Sequence, residues 1–388
     1  RTTDKKPRFY DVENFTLNYS YNKVEHRDFE IENSEDKRLR LGANYAHNFN
    51  PLEIEPFAEN DSLFTNRYWK ILKDFNVNFM PASFTINSDL NRQYNRQKFR
   101  EVDLTGDNIA IEELFRRNYT FDFQYAINYN LTKSLQLNFT AANSNIVRNY
   151  FVDNDLIAGE QDQTLDIWDG LMDFGDPNRQ TQNFGLTYQI PLNKIPTFSF
   201  IDATYQYTGT FLWQKGSDLY GDIELDGTRY DLGNTIQNSN VHNLNTSLDM
   251  NRLYRYIGLT KKPISRARSR STAGTGPPGS NPEETPKPKS KSQTGTKILN
   301  AGIDILTSIK RIQVNYSENS GTFLPGYQQT PGFIGTLKPT FGFTFGGQGD
   351  VRYLAARRGW LTTFPEFNQQ YTTTNTKQLD MSASLQPV

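Results

Sequence analysis

Between Tyr119 and Tyr129 every odd position is large and apolar or aromatic: Tyr119, Phe121, Phe123, Tyr125, Ile127 and Tyr129. Thr120, Asp122, Gln124, Ala126 and Asn128 fill the positions between. Residues 130–134 break the pattern, which resumes with Leu135, Leu137, Phe139 and Ala141 against Gln136, Asn138 and Thr140. Side chains alternate faces along a strand, so this period of two specifies two strands with one greasy face each, joined by a tight turn. The first strand is about eleven residues long, against roughly five or six in most soluble sheets. That length suits the roughly 9–11 tilted residues with which a barrel strand crosses a bilayer.

The polar face separates water from membrane. A soluble sheet usually turns Lys and Glu outward, whereas here the in-between positions hold mainly amides and hydroxyls. Basic residues gather at the ends, Arg116 and Arg117 before the hairpin and Lys133 in its turn. A wet barrel interior behind a lipid-facing exterior has this composition. Tyr119 and Tyr129 suit the interfacial girdle, where a ring lies half in lipid and its hydroxyl among headgroups. The pattern therefore predicts an all-β fold: a transmembrane antiparallel β-barrel, or an arc of one. Lipid-facing positions are Phe121, Phe123, Tyr125, Ile127, Leu135, Leu137, Phe139, Leu244, Leu248, Leu379 and Met381. Lumen-facing positions are Asp122, Gln124, Asn128, Gln136, Asn138, Asn245, Asp249 and Asp380.

In chain order, Phe15 to Tyr21 and Leu39 to Tyr45 alternate as two strands around a charged loop at 22–36. Asn50 to Pro56 holds two prolines, which forbid a central strand. Phe64, Tyr68, Ile71, Leu72 and Phe75 then follow a helical period. Phe84, Ile86 and Leu90 give a strand, and 95–115 a charged loop. After the central hairpin comes an acidic loop, 148–180, with a helical turn around Leu165, Trp168 and Met172. Phe184 to Ile190 leads into a turn bounded by Pro191 and Pro196. The phase change from Phe198 and Phe200 to Ile201 and Ala203 predicts a β-bulge. Leu244, Leu248 and Met250 form the next strand. Residues 261–297 are basic and Pro-rich with nothing to bury, a disordered linker. An apolar helical run, Ile298 to Ile309, precedes a strand at Ile312, Val314 and Tyr316. A Gly- and Pro-rich excursion over 318–373 contains the ladder Phe341, Phe343, Phe345, and Leu379 to Leu385 is the last strand.

This count gives about ten spanning strands, provided that the Phe341–Phe345 ladder does not span. Short turns at 130–134 and 191–196 belong to the periplasmic side and long loops to the outside. Both helical runs, 62–75 and 298–309, then fall in the periplasm. The resulting units are 1–254, strands with extracellular loops and a periplasmic segment at 47–82; 255–297, a basic periplasmic linker; and 298–388, a helix and further strands with the extracellular loop 318–373. The opening at Arg1 and the last strand's stop at Pro387 and Val388 lead us to expect a piece of something larger.

Composition narrows the alternatives. No apolar run approaches the length of a membrane helix. A mean hydropathy of −0.71 does not argue against a barrel, which shows lipid only every second residue. The net charge of −1 argues against a general nucleic-acid binder. With no Cys there is no disulfide or thiolate metal site. His26, His47 and His242 lack zinc-like spacing and read as ordinary residues. The acids Asp153, Asp155, Asp162, Asp166, Asp169, Asp173 and Asp176 read as a solvated loop before a Ca²⁺ site, since no calcium-loop motif appears. Gly346-Gly347-Gln348-Gly349 reads as a turn, and Arg266, Arg268 and Arg270 as part of the self-repelling linker. No cofactor and no enzymatic activity are expected.

Five phrases, in order, carry a resemblance: NFNPLEIEPF (48–57), RNYTFDFQYAINYNLTKSLQLNFTAANSNIV (117–147), YQIPLNKIPTFSF (188–200), VNYSENSGTFLPGY (314–327) and RRGWLTT (357–363). Together they resemble the SprA (Sov) family, the giant outer-membrane translocons of the Bacteroidetes type 9 secretion system. The resemblance implies localisation in the bacterial outer membrane and a pore for folded cargo with a C-terminal secretion signal, including gliding adhesins and secreted enzymes. It also implies a lateral opening capped by a PorV-like small barrel, and a periplasmic plug protein. On that view the lumen is wide, uncharged and hydrophilic. A TonB-dependent receptor or large porin is the first alternative, and a soluble β-rich adhesin the second.

Overall fold

The computed structural model describes residues 8–57, 67–100, 111–148, 162, 164–261 and 293–386. Ten strands form one antiparallel sheet in which each hydrogen-bonds to its neighbours in sequence. They are β1 (Phe15–His26), β2 (Ile31–Asn48), β3 (Ser83–Phe99), β4 (Leu114–Asn130), β5 (Leu135–Ile146), β6 (Asp176–Ile190), β7 (Ile201–Gln214), β8 (Asn234–Asp249), β9 (Ile309–Tyr327) and β10 (Thr372–Leu385). The sheet's two edges, β1 and β10, are exposed along their whole length.

Because the order is sequential, connections alternate between two ends. Of the described residues, the lower end holds 49–57, 67–82, 131–134, 191–200, 250–261 and 293–308, and the upper end holds 27–30, 100, 111–113, 147–148, 162, 164–175, 215–233 and 328–371. The short helices α1 (Lys70–Lys73) and α2 (Met250–Tyr256) and the longer α3 (Gln293–Leu306) are at the lower end. The upper excursion carries α4 (Phe341–Thr344), α5 (Val351–Arg357) and α6 (Pro365–Gln369). Among the described residues no helix is long and apolar enough to cross a membrane.

Several boundaries differ from the sequence expectation, each for a physical reason. Residues 22–36 are not a loop. Asp28 accepts from Ile31 N at 2.6 Å in a tight turn, and the flanking charges pair across the strands, Lys23 with Glu35 at 2.8 Å. Charged loops at 95–115 and 148–180 are likewise shortened, since β3 runs to Phe99 and β6 starts at Asp176. Leu165 to Met172 makes turns instead of a helix. There is no bulge at Phe200, because 3-10 turns at Pro191–Lys194 and Pro196–Phe198 delay the strand to Ile201. Met250 leaves the strand because Asp249 caps α2, accepting from Asn251 N and Arg252 N. Phe341, Phe343 and Phe345 are not a strand: Thr340 Oγ1 accepts from Phe343 N and caps α4. The ladder does not cross the sheet, and ten strands remain. Helix α3 starts at Gln293, inside the expected linker, and ends at Leu306. Residues 62–66, Asp153, Asp155, Arg266, Arg268 and Arg270 lie outside the described residues.

Two apolar clusters form where upper connections fold onto the sheet. In one, Phe211, Trp213, Ile236 and Leu324 of β7–β9 pack against Phe343, Val351 and Ala355. In the other, Leu39, Tyr94 and Tyr119 of β2–β4 enclose Val147 and Ile167.

Candidate membrane interface

The pairing register decides which residues share a face. Tyr129, Leu137, Leu186, Tyr207, His242 and Glu318 are partners in one lateral row across β4–β9. The next row down runs Leu135, Tyr188, Tyr205, Leu244, Tyr316, Leu379 across β5–β10. Extending the register puts Phe121, Phe123, Tyr125, Ile127, Leu135, Leu137, Phe139, Leu244, Leu248, Leu379 and Met381 on one face. Asp122, Gln124, Asn128, Gln136, Asn138, Asn245, Asp249 and Asp380 fall on the other.

The strands are staggered. The row from Tyr129 to Glu318 climbs from one residue above the lower end of β4 to nine above that of β9. With about 3.3 Å of rise per residue and about 4.8 Å between strands, that is a tilt of roughly 45°. It is close to the roughly 35–45° of closed barrels.

Measured from each strand's own lower end, the apolar face has a nearly level upper boundary in seven of the ten strands; in β2 and β4 it runs on to Lys37 and Arg117, eleven and thirteen residues up, and in β7 it meets no strongly polar side chain. In the seven, the first strongly polar side chains are Lys23, Arg92, Asn143, Gln182, His242, Glu318 and Lys377. They lie from seven residues up (His242 from Asp249) to nine up (Arg92 from Ser83, Glu318 from Ile309). In these strands, the paired positions below that boundary are apolar or aromatic apart from the small hydroxyls Ser88 and Thr246. In β2, His47 at the lower rim is buried edge-on between Phe9 and Phe49. Eight tilted residues rise about 20 Å, near the roughly 25 Å apolar band of outer-membrane barrels. At the edge strands these side chains are open: Leu17 is 78% exposed and Met381 68%.

Above the boundary the same face is covered by protein. Arg92 is buried and donates to the carbonyls of Ile167, Asp169 and Gly170, while its guanidinium lies 4.7 Å from the Tyr119 ring centroid. Residues 328–349 cross β4–β9 as a strap. Asn143 donates to Phe333 O, Gln182 to Thr336 O at 2.8 Å, Asn240 to Gly346 O at 2.7 Å and Tyr207 to Phe345 O at 2.6 Å. Phe121, on the apolar face, is buried beneath Phe174 and Phe333, and below the boundary, four residues up β5, Phe139 stacks on Phe345.

The opposite face is hydrophilic but not uncharged. Arg40 and Asp89 pair there at 3.3 Å, and Arg38, Asp122, Arg179, Asp202 and Arg311 share that side. An uncharged lining does not describe it.

Sequence reasoning missed the amides Asn143, Gln182, Asn238 and Asn240. Their signal was present, since each is in phase with an aromatic or aliphatic row, but an amide in that phase looks like the end of a strand. Gly346 to Gly349 joins α4 to α5, and Gly346 offers its carbonyl to Asn240, so the stretch is used as a turn. Among the described residues no cluster of His, Asp and Glu has the arrangement of a metal site. No family model matches the chain, and no curated protein is found to be similar to it.

Proposed function

We propose that this chain is a wall segment of a transmembrane β-barrel in a bacterial outer membrane, and that the barrel conducts proteins to the cell surface. The observation that carries the membrane part is the nearly level boundary between apolar and polar side chains on one face of seven of the ten staggered strands. A soluble sheet has no physical reason to change polarity at one height in strand after strand. A bilayer imposes that change. In this reading the face of Leu137 and Leu244 meets lipid and the face of Asn138 and Asn245 lines water. The unpaired backbone of β1 and β10 is where further strands of the wall hydrogen-bond, since an open edge at bilayer depth would leave those groups unsatisfied.

The transport part rests on the resemblance to the SprA (Sov) family. It brings the expected partners with it: a PorV-like small barrel at a lateral opening, a periplasmic plug protein, and folded cargo with a C-terminal signal. Charges of both signs on the polar face are compatible with passage of folded proteins, because a mixed surface gives no strong field of one sign to hold cargo. No chemical step is assigned to any residue.

Deleting the gene tests the transport reading. Cargo bearing the C-terminal signal should accumulate in the periplasm while small-solute uptake continues. Normal secretion with lost uptake would instead identify a porin or TonB-dependent receptor. Recovery of a monomeric protein with native sheet content in detergent-free buffer would remove the membrane reading altogether and favour the adhesin.

A further inference from the structure

Residues 328–349 form an irregular segment laid over the sheet, with α4 as its only helical turn. The segment contains one charged residue, Lys338. Its backbone turns inward: the carbonyls of Phe333, Thr336, Phe343 and Gly346 are taken by Asn143, Gln182, Asn238 and Asn240. Phe333, Phe343 and Phe345 pack down on the sheet, but three other apolar side chains turn outward, with Ile334 67% exposed, Phe341 64% and Leu337 59%. Lys338 reaches away to the Trp360 ring, 5.4 Å from its centroid.

A loop in water has no need of this inversion, because water satisfies its carbonyls and its apolar side chains seek cover. In hydrocarbon the requirement reverses. An irregular backbone is tolerated at membrane depth only where protein satisfies its polar groups. We propose that residues 328–349 are embedded in the outer leaflet at the top of the apolar band. There they present Ile334, Leu337 and Phe341 to lipid acyl chains while the amide row of the sheet holds their backbone. The height agrees: Asn143 and Gln182 lie eight residues above the lower ends of β5 and β6, where the apolar band gives out. The proposal rests on the apolar face being the lipid face.

The chain lacks cysteine, so single nitroxide labels can be placed on the intact protein at Ile334→Cys, Phe341→Cys and, as a control low on the sheet, Leu137→Cys. Collision rates with oxygen, which concentrates in hydrocarbon, and with a water-soluble nickel chelate are read in phosphatidylcholine–phosphatidylglycerol vesicles. All three labels should favour oxygen. Leu137 favouring oxygen while Ile334 and Phe341 favour the chelate would overturn the embedded strap and leave the wall reading standing. Ile334 and Phe341 shielded from both reagents would overturn it in favour of a protein partner on this surface. A Leu137 label open to the chelate would remove the lipid face, and the strap proposal with it.

Discussion

Gly209 of β7 and Gly346 of the strap meet backbone to backbone: a Cβ on Gly346 would stand 2.7 Å from the Gly209 Cα. Gly346 also has φ +91°, a conformation that L side chains rarely adopt. A Cβ on Gly209 would in turn collide with the Phe345 carbonyl, which accepts from Tyr207. This contact fixes how closely the strap can approach the sheet. Gly209→Val should therefore lift the strap and cost about 1–3 kcal/mol by overpacking. The midpoint of heat- or urea-induced unfolding of the reconstituted protein measures the cost, and a wild-type midpoint would show that the approach is not tight.

Asn238 donates to Phe343 O at 3.0 Å and Gly347 O at 2.8 Å, and accepts from Gln348. Asn238→Ala leaves the Gly347 carbonyl without its donor and the Phe343 carbonyl with only the Gly346 N–H, removes the acceptor of Gln348 Nε2, and should cost about 1–3 kcal/mol. Asn245→Ala, an exposed amide on the opposite face, should stay within about 0.5 kcal/mol of wild type. Equal effects in the same unfolding assay would mean that the amide row does not anchor the strap.

Leu244 lies five residues above the lower end of β8, in the middle of the apolar band. An arginine there would meet hydrocarbon and should cost about 2–4 kcal/mol, while Asn245→Arg should cost far less. Phe123 is a less clean probe, because its ring already packs on Phe333. Yield of assembled barrel in outer-membrane fractions reads the difference, and equal losses for the two arginines would contradict the facing.

At the upper end, Asp218 receives Arg148 and Lys215, both at 2.5 Å. Partial burial opposes its ionisation, but hydrogen bonds from Lys215 and Arg148 outweigh that and hold the carboxyl below the usual range. A depressed carboxylate contributes stability above its unfolded value of about 3.9 and loses it as pH falls through the lower folded value. A nitroxide at Leu219→Cys should therefore stay immobile down to about pH 4 and loosen only below it. In the Asp218→Asn background it should be mobile at neutral pH. Loosening between pH 7 and 5 in the wild-type background would count against this ion pair as the anchor.

Much of the wall was legible in the sequence wherever one face is apolar. Leu135 to Ala141 and Leu379 to Leu385 announce themselves because a strand with one apolar face carries a greasy residue at every second position. The upper halves of the strands were not legible for the same reason. Above the apolar band both faces carry polar groups, so Lys23, Glu25, Glu35 and Lys37 looked like a loop although they pair across β1 and β2.

Period-two alternation is a local property, and by itself it determined that there are long antiparallel strands and which residues share a face within each; the count of ten waited on the structure, which folds Phe341 to Thr344 into a helical turn. It could not say that Asn238 and Asn240 would be satisfied by carbonyls more than a hundred residues away, or that Phe121 would lie beneath Phe333. Those relationships, and the common height at which the apolar band ends, exist only once register and stagger have brought distant segments together. Register is set by pairing between strands, and no strand carries it alone.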